Sequence, residues 1–419
     1  MKEKTHSIKP WWTAPWGYKE SFAVVIGLAV VGTLLQLVIG NFNFTMIQYP
    51  VNLIILIVIV LLTFWGTFHG KSRFFKWLSS VQLGVANITV ILFYSIIMGL
   101  VPQVAKTGSG KSLVGFDAVT ISWAFVLVYS FALINLSFAL ASRMLHFKTR
   151  DYAFYLNHLG LLVMMVALGF GASDFRRFTM YVDEGKTEWR VFNEHGGFIE
   201  LPIAIKLNNF IMEEYVPKLA VVNRETGYAI PHGKPRLWQI DTIRRTVTID
   251  RWKIELQQYI HEAIGMNDST FHAIPMPGSC PAALVTATNT KTGKVDSGWV
   301  TSGNFAQFFK TIELEDPYHL AMTRAEPKLF RSYIEVYTES GKHEEFELEV
   351  NKPLRIENWT VYQFSYDVEK GKASTWSGFE LVYDPWSVFV HWGLIAFVLG
   401  SIALVFQGKK KKQNNDNLE

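Results

Sequence analysis

The sequence predicts a membrane protein in which a six-helix transmembrane bundle carries a large exported all-β, sandwich-like domain between its fifth and sixth helices. Three observations lead there. Hydrophobic residues make up 49% of the chain and charged residues only 18%, a balance too apolar for a soluble protein of 419 residues. Six apolar runs reach the roughly twenty residues that a helix needs to cross a ~30 Å hydrocarbon core. Between the last two runs lies a long segment of ordinary soluble composition in which apolar residues alternate with polar ones.

The chain opens with a polar and aromatic stretch, residues 1–20, holding lysines at 2, 4, 9 and 19 and the sequence WWTAPWG from Trp11, whose indoles suit headgroup depth. The apolar run that follows is long and lacks a small-residue cleavage pattern, so it reads as a retained span. The six spans are 21–40, 50–69, 79–101, 118–142, 152–172 and 386–406, with the remaining residues 407–419 forming a basic tail. A basic loop with Lys71, Arg73 and Lys76 joins the second span to the third, and the third ends at Pro102. The fourth stops at Arg143, and Lys148 and Arg150 precede the fifth.

Six spans put both termini on one side of the bilayer, and the basic residues choose the side. Lys and Arg cluster in the N-terminus, near 71–76, near 143–150 and at Lys409–Lys412, whereas the opposite short loops hold only Lys106 and Lys111. By the positive-inside rule both termini face the cytoplasm and residues 173–385 are exported from a bacterial inner membrane. The net charge of +4 therefore reports topology, not nucleic-acid binding.

The exported segment reads as strands. Leu201, Ile203, Ile205 and Leu207 share one face; Ile254 and Leu256 alternate with Lys253, Glu255 and Gln257; Phe346, Leu348 and Val350 alternate with Glu347 and Glu349. Turns are expected at Glu225-Thr-Gly227, Lys291-Thr-Gly293 and Glu339-Ser-Gly341. Phe175 and Pro385 adjoin the flanking spans closely, which predicts a domain clamped to the bilayer at both ends.

Several chemistries are excluded or weak. Gly108-Ser-Gly-Lys-Ser112 lacks the first glycine of a phosphate loop, since Ala105 stands there, and it reads as a flexible loop. The single cysteine, Cys280, allows neither an internal disulfide nor a dithiol pair, and no neighbour in sequence activates it. Glu213 and Glu214 are expected on a solvated strand edge, and no set of residues nominates a catalytic acid and base. The histidines form no zinc-binding pair, and His195, His232, His261, His272, His319 and His343 are scattered through the exported segment.

The membrane-associated histidines differ. His158 lies about two turns into the fifth span, where an ionisable group in lipid marks a functional site unless a neighbouring helix satisfies it. His69 closes the second span at the same end, and His391 sits near the exported end of the sixth. Imidazole in an apolar, aromatic surrounding is the commonest axial ligand of haem iron, which makes these three candidates for cofactor binding and His69 and His158 the candidates for the metal. The bland readings are a headgroup-facing His69 and an interfacial His391 beside Trp392.

Local patterns then coincide in order. WLSSVQLGVANITVILFYSIIMGLVPQ from Trp77, NHLGLLVMMVALGFGAS from Asn157, GWVTSGN from Gly298, VNKPLRIENWTVYQFSYD from Val350 and LVYDPWSVFVHWG from Leu381 together resemble the ResB (CcsB) family of cytochrome c biogenesis proteins. The two additional N-terminal spans resemble the version of that family fused to, or encoded beside, its partner CcsA, whose tryptophan-rich haem-handling motif WWTAPWG does not match. The resemblance implies a subunit of a membrane complex that exports haem b and attaches it to the Cys-x-x-Cys-His motif of apocytochrome c. It implies a transient haem site shared with a CcsA-type partner, one membrane histidine from each chain, and a non-catalytic or co-catalytic role for this subunit. Two readings compete: an exported protein-binding module with haem handled wholly by the partner, and a sensor or transporter subunit with no haem role. Against the last, the spans show no pair of interrupted helices marking a midplane substrate site.

Overall fold

The computed structural model describes residues 14–69, 72–103, 113–192, 197–267 and 270–416, with side chains to 407. The phosphate-loop-like stretch 108–112, Lys106, His195 and Trp11 lie outside the described residues. Two compact units emerge, one of residues 1–176 with 383–419 and one of 177–382.

The first unit is helical. Its helices are α1 (Tyr18–Ile39), α2 (Val51–Phe68), α3 (Arg73–Leu78), α4 (Val81–Leu100), α5 (Trp123–Met144), α6 (Tyr152–Asp174) and α7 (Ser387–Asp416). All but α3 are long and apolar enough to cross a membrane, and the large all-β region follows the fifth of these six.

Several boundaries differ from the sequence reading. The expected basic loop at 71–76 holds α3, because RFFKWL places Trp77 and Leu78 in the α1–α4–α5 core, where Trp77 Nε1 donates to Ser21 Oγ at 2.9 Å. The fourth long helix starts at Trp123 and not at 118: Val119–Ile121 is a 3-10 turn, and the Ser122 hydroxyl caps α5 by accepting from Phe125 N. The last helix also continues through the lysine run to Asp416.

Small residues let the helices approach. A Cβ on Gly393 of α7 would stand 2.7 Å from Met164 N of α6, and one on Gly160 would stand 2.7 Å from Gly393 O. Asn157 Nδ2 donates to Ser401 Oγ at 2.7 Å across the same contact. Without a hydrophobic driving force in lipid, such close backbone packing and interhelical hydrogen bonding are what hold helices together. Asp174, only 9% exposed, ends α6 and gathers three donors: Tyr49 N at 2.9 Å, Asn52 Nδ2 at 2.7 Å and Trp386 Nε1 at 2.7 Å.

The second unit is built of strands. In chain order they are β1 (Arg176–Asp183), β2 (Thr187–Phe192), β3 (Phe198–Glu214), β4 (Lys218–Asn223), β5 (Trp238–Gln239) and β6 (Thr246–Ile249). Next come β7 (Trp252–Asn267), β8 (Thr270–Ala273), β9 (Cys280–Asn289), β10 (Val295–Thr301), β11 (Ile312–Glu313) and β12 (Tyr318–Met322). The last are β13 (Pro327–Thr338), β14 (His343–Glu349), β15 (Leu354–Ile356), β16 (Trp359–Tyr366) and β17 (Trp376–Tyr383).

They form four sheets, ordered β1-β17-β16-β15, β14-β13-β3-β2, β11-β12-β4-β5 and β10-β9-β7-β6, with β8 added on β7. The last two sheets share a core in which Leu219, Val221, Ile254, Val285 and Leu320 are fully or almost fully buried around Trp252. The first two meet through a buried hydrogen bond between Ser332 Oγ and Ser377 Oγ at 2.9 Å and through Phe210 stacked on Tyr366. Period-two burial is realised where the sequence placed it, with Ile203, Ile205 and Leu207 inside on β3 and Ile254 and Leu256 inside on β7.

Two of the three expected turns are twins. In Asn223-Arg-Glu-Thr-Gly227 and Asn289-Thr-Lys-Thr-Gly293 the asparagine Oδ1 accepts from the backbone N–H two and three residues on, and the glycine closes the turn at φ 72° and 75°. Only glycine adopts that conformation without strain.

Candidate functional site

The three membrane-associated histidines adopt one local arrangement. His69 Nδ1 lies 2.8 Å from Trp65 O, His158 Nδ1 lies 3.1 Å from Phe154 O, and His391 Nδ1 lies 2.6 Å from Ser387 O. A carbonyl oxygen only accepts, so each Nδ1 is the donor, and in the neutral ring the lone pair then resides on Nε2. Tying one ring nitrogen to a carbonyl is how metal-ligating imidazoles are commonly oriented.

The Asp174 junction gives a common reference point: His69 lies ~25 Å along α2 from Asn52 and His158 ~24 Å back along α6 from Asp174, at 1.5 Å per residue, so the two stand at similar distances from it along their own helices. His391 begins only ~8 Å along α7 from Trp386, at the opposite end.

Their surroundings differ. His69 is exposed at the end of α2, its ring 4.8 Å from that of Trp65. His158 is half-buried, stacked at 3.8 Å on Phe154, and the Arg143 guanidinium lies 4.0 Å over that same Phe154 ring. On α6 it shares a stripe with Met165 and Gly169, which meet Tyr129 of α5, whose hydroxyl donates to Met165 O at 2.7 Å. His391 is exposed.

A cavity of about 860 Å³ opens in the helical unit beside Asp174, walled by Leu53 and Leu56 of α2, Leu162 and Val166 of α6, and Trp386 and Phe389, with Arg176 at its polar end. None of the three histidines lines it. Among the described residues no group of three or more His, Cys, Asp or Glu is arranged to hold a metal ion. His69 and His158 each leave Nε2 without a protein partner, and among the described residues no pair of imidazoles is brought face to face.

The β unit corrects one reading and adds to another. Glu214 does not lie on a solvated edge: it is half-buried where β3 pairs with Pro327 of β13, and burial pushes its carboxyl up from the ordinary value. Glu213 beside it is half-exposed and paired with Lys328 and Arg331 at 3.1 and 2.8 Å. Cys280 is buried with its Sγ 3.2 Å from Thr301 Oγ1, and burial pushes its thiol up, away from the nucleophilic thiolate.

Sequence reading missed Asp174 altogether. A lone acid closing an apolar run, followed at once by Phe175-Arg176, was the available signal.

No curated protein matches the chain closely enough to count as a relative. A family model does match: the ResB-like family, over residues 305–376, a stretch running from the turn before β11 to the start of β17 and including VNKPLRIENWTVYQFSYD. Six candidate spans and this match together point to a multi-pass membrane protein with a general role in cytochrome c biogenesis. Over residues 305–376, the resemblance read from scattered motifs is that of a ResB-like protein.

Proposed function

We propose that this chain is the ResB-like subunit of a membrane cytochrome c synthase complex, which exports haem and helps attach it to apocytochrome c. The ResB-like match supports the biogenesis role. The observation that supports the haem reading is that His69 and His158 each have Nδ1 held by a carbonyl and Nε2 left free. One of them holds haem b from this side, and a CcsA-type partner supplies the opposing imidazole. When bound, haem supplies the vinyl groups and iron that the attachment chemistry uses. This chain's own work is to fix the imidazole, to keep water from it with Phe154 or Trp65, and to present the β unit on the exported side of a bacterial inner membrane.

Co-expression with a CcsA-type partner, followed by absorbance spectra of the detergent-purified complex, tests this. A haem b spectrum is expected, lost in either His69→Ala or His158→Ala, restored by added imidazole, and unaffected by His391→Ala. A spectrum unchanged in both of the first two variants defeats the ligand assignment, and reporter fusions placing residues 177–382 in the cytosol defeat the topology.

One observation favours a second reading, in which the β unit holds an exported client protein while the partner alone handles haem. The loop after β10 exposes Phe308 (95%) and Phe309 (73%), yet it is braced: Asn304 Nδ2 donates to Gly278 O, Gln307 Nε2 donates to Ala263 O, and a Cβ on Gly303 would meet the loop's own backbone. Crosslinking from this loop to apocytochrome c, with synthase activity retained in the double variant His69→Ala/His158→Ala, would select that reading.

A further inference from the structure

A separate cavity of about 210 Å³ lies wholly within the β unit, where the end of β3, the start of β9, the turn after β10 and the 369–373 turn come together. Several polar side chains on its wall, the exposed Glu369 and the Tyr366 hydroxyl among them, have no hydrogen bond or ion pair among the described residues. The Ser279 hydroxyl is buried, with the residue only 2% exposed, and has no partner. Arg324 and Glu214 line the same wall and are likewise unpaired. Lys372 beside them is already engaged, 2.8 Å from Glu262.

A buried hydroxyl without a partner is a desolvation loss that a ligand recovers, and an unpaired guanidinium at the same cavity offers a planar fork matched to a carboxylate. We propose that this cavity binds a carboxylate group, with Arg324 as its charge partner and Ser279 as a hydroxyl donor. Burial pushes the Glu214 carboxyl on this wall up from its ordinary value, and the charge of Lys372 beside it acts the other way. The space equals about seven waters at ~30 Å³ each, enough for a carboxylate on a short alkyl arm and too little for a macrocycle. Two sources share that chemistry: a small free carboxylate, or the propionate arm of a porphyrin whose ring stays outside. Only the porphyrin source rests on the haem reading above.

The test uses the full chain in detergent micelles with trifluoroacetate as probe, read by fluorine line broadening. Broadening is expected with trifluoroacetate and not with neutral trifluoroethanol. Arg324→Gln should weaken binding roughly tenfold and Ser279→Ala roughly threefold, while Glu214→Gln keeps it, as loss of a charged and of a neutral hydrogen bond would require. Broadening unchanged in Arg324→Gln, or equal for trifluoroethanol, overturns the site. Iron-free mesoporphyrin IX that displaces the probe, when its dimethyl ester does not, identifies the propionate; failure of both leaves the small carboxylate as ligand with the site intact. Because no membrane histidine is involved, His158→Ala must leave probe binding unchanged, so that failure of the haem reading and failure of this one are told apart.

Discussion

The side-chain amide of Asn52 donates to Asp174 Oδ2 at 2.7 Å, joining the first turn of α2 to the last turn of α6 across 122 residues of sequence. The same oxygen accepts from Trp386 Nε1, so one carboxylate ties together the start of α2, the end of α6 and the residue before α7.

Asp174→Ala removes the acceptor of Tyr49 N, Asn52 Nδ2 and Trp386 Nε1, leaving Asn52 only the longer bond to Ser173 Oγ at 3.3 Å. Hydrogen bonds to a charged group contribute about 1.5–3 kcal/mol each, so a loss of at least about 3 kcal/mol is expected, read as a clear drop in the melting temperature of the detergent-solubilised protein. An unchanged melting temperature would show that the junction contributes nothing to stability.

Substitution at the α6–α7 contact should follow the available space. Gly393→Leu drives a side chain into Met164 backbone and is expected to abolish the ordered helical unit, whereas Gly27→Ala, with nothing within 4 Å of its Cβ, should be silent or slightly stabilising. Size-exclusion profiles and thermal melts distinguish the two; equal behaviour would contradict the packing.

The twin turns should respond unequally to loss of their asparagine. Asn289 is 2% exposed and also donates to Glu315 at 2.7 Å, whereas Asn223 is half-buried and serves its own turn. Asn289→Ala is expected to cost about 2 kcal/mol and Asn223→Ala about 1 kcal/mol in denaturant unfolding, from the number of buried groups left unpaired. The reverse order would refute that account.

Acid should weaken the β unit. The side chain of Arg190 holds Glu188 at about 2, and the side chain of Lys206 does the same for Glu335. A carboxyl whose folded value lies below its unfolded one contributes stability that is complete above about 4.5 and lost as pH falls toward 2. Glu214 has the opposite sign: its folded value is raised, so the native state disfavours its ionised form as pH rises. Melting temperatures should therefore fall between pH 4.5 and 2 in the native protein and fall less in Glu335→Gln, while Glu214→Gln should raise the melting temperature at neutral pH. A native-like slope in Glu335→Gln would rule out that linkage.

Long-period signals were legible in the sequence and pairwise ones were not. Six apolar runs announced the long helices, and alternation at Ile203, Ile205 and Leu207 announced β3, because burial of a whole face repeats over many residues. A single turn such as α3 carries too few residues to show a period, and its basic Arg73 and Lys76 mask the buried Trp77. The candidate histidines could be named from sequence, but the meeting of Asn52 with Asp174 could not, being a contact with no local pattern. Glu214 was misread for a related reason: it meets the Pro327 strand and the Gly371 turn, both more than a hundred residues onward.

β1 and β17, the first and last strands of the β unit, are neighbours in one sheet, while Trp386, just beyond β17, is bonded to Asp174, just before β1. The β unit is therefore an insertion whose entry and exit strands pair with each other, and because the residues flanking it are already bonded, its excision would leave a gap that a few residues bridge.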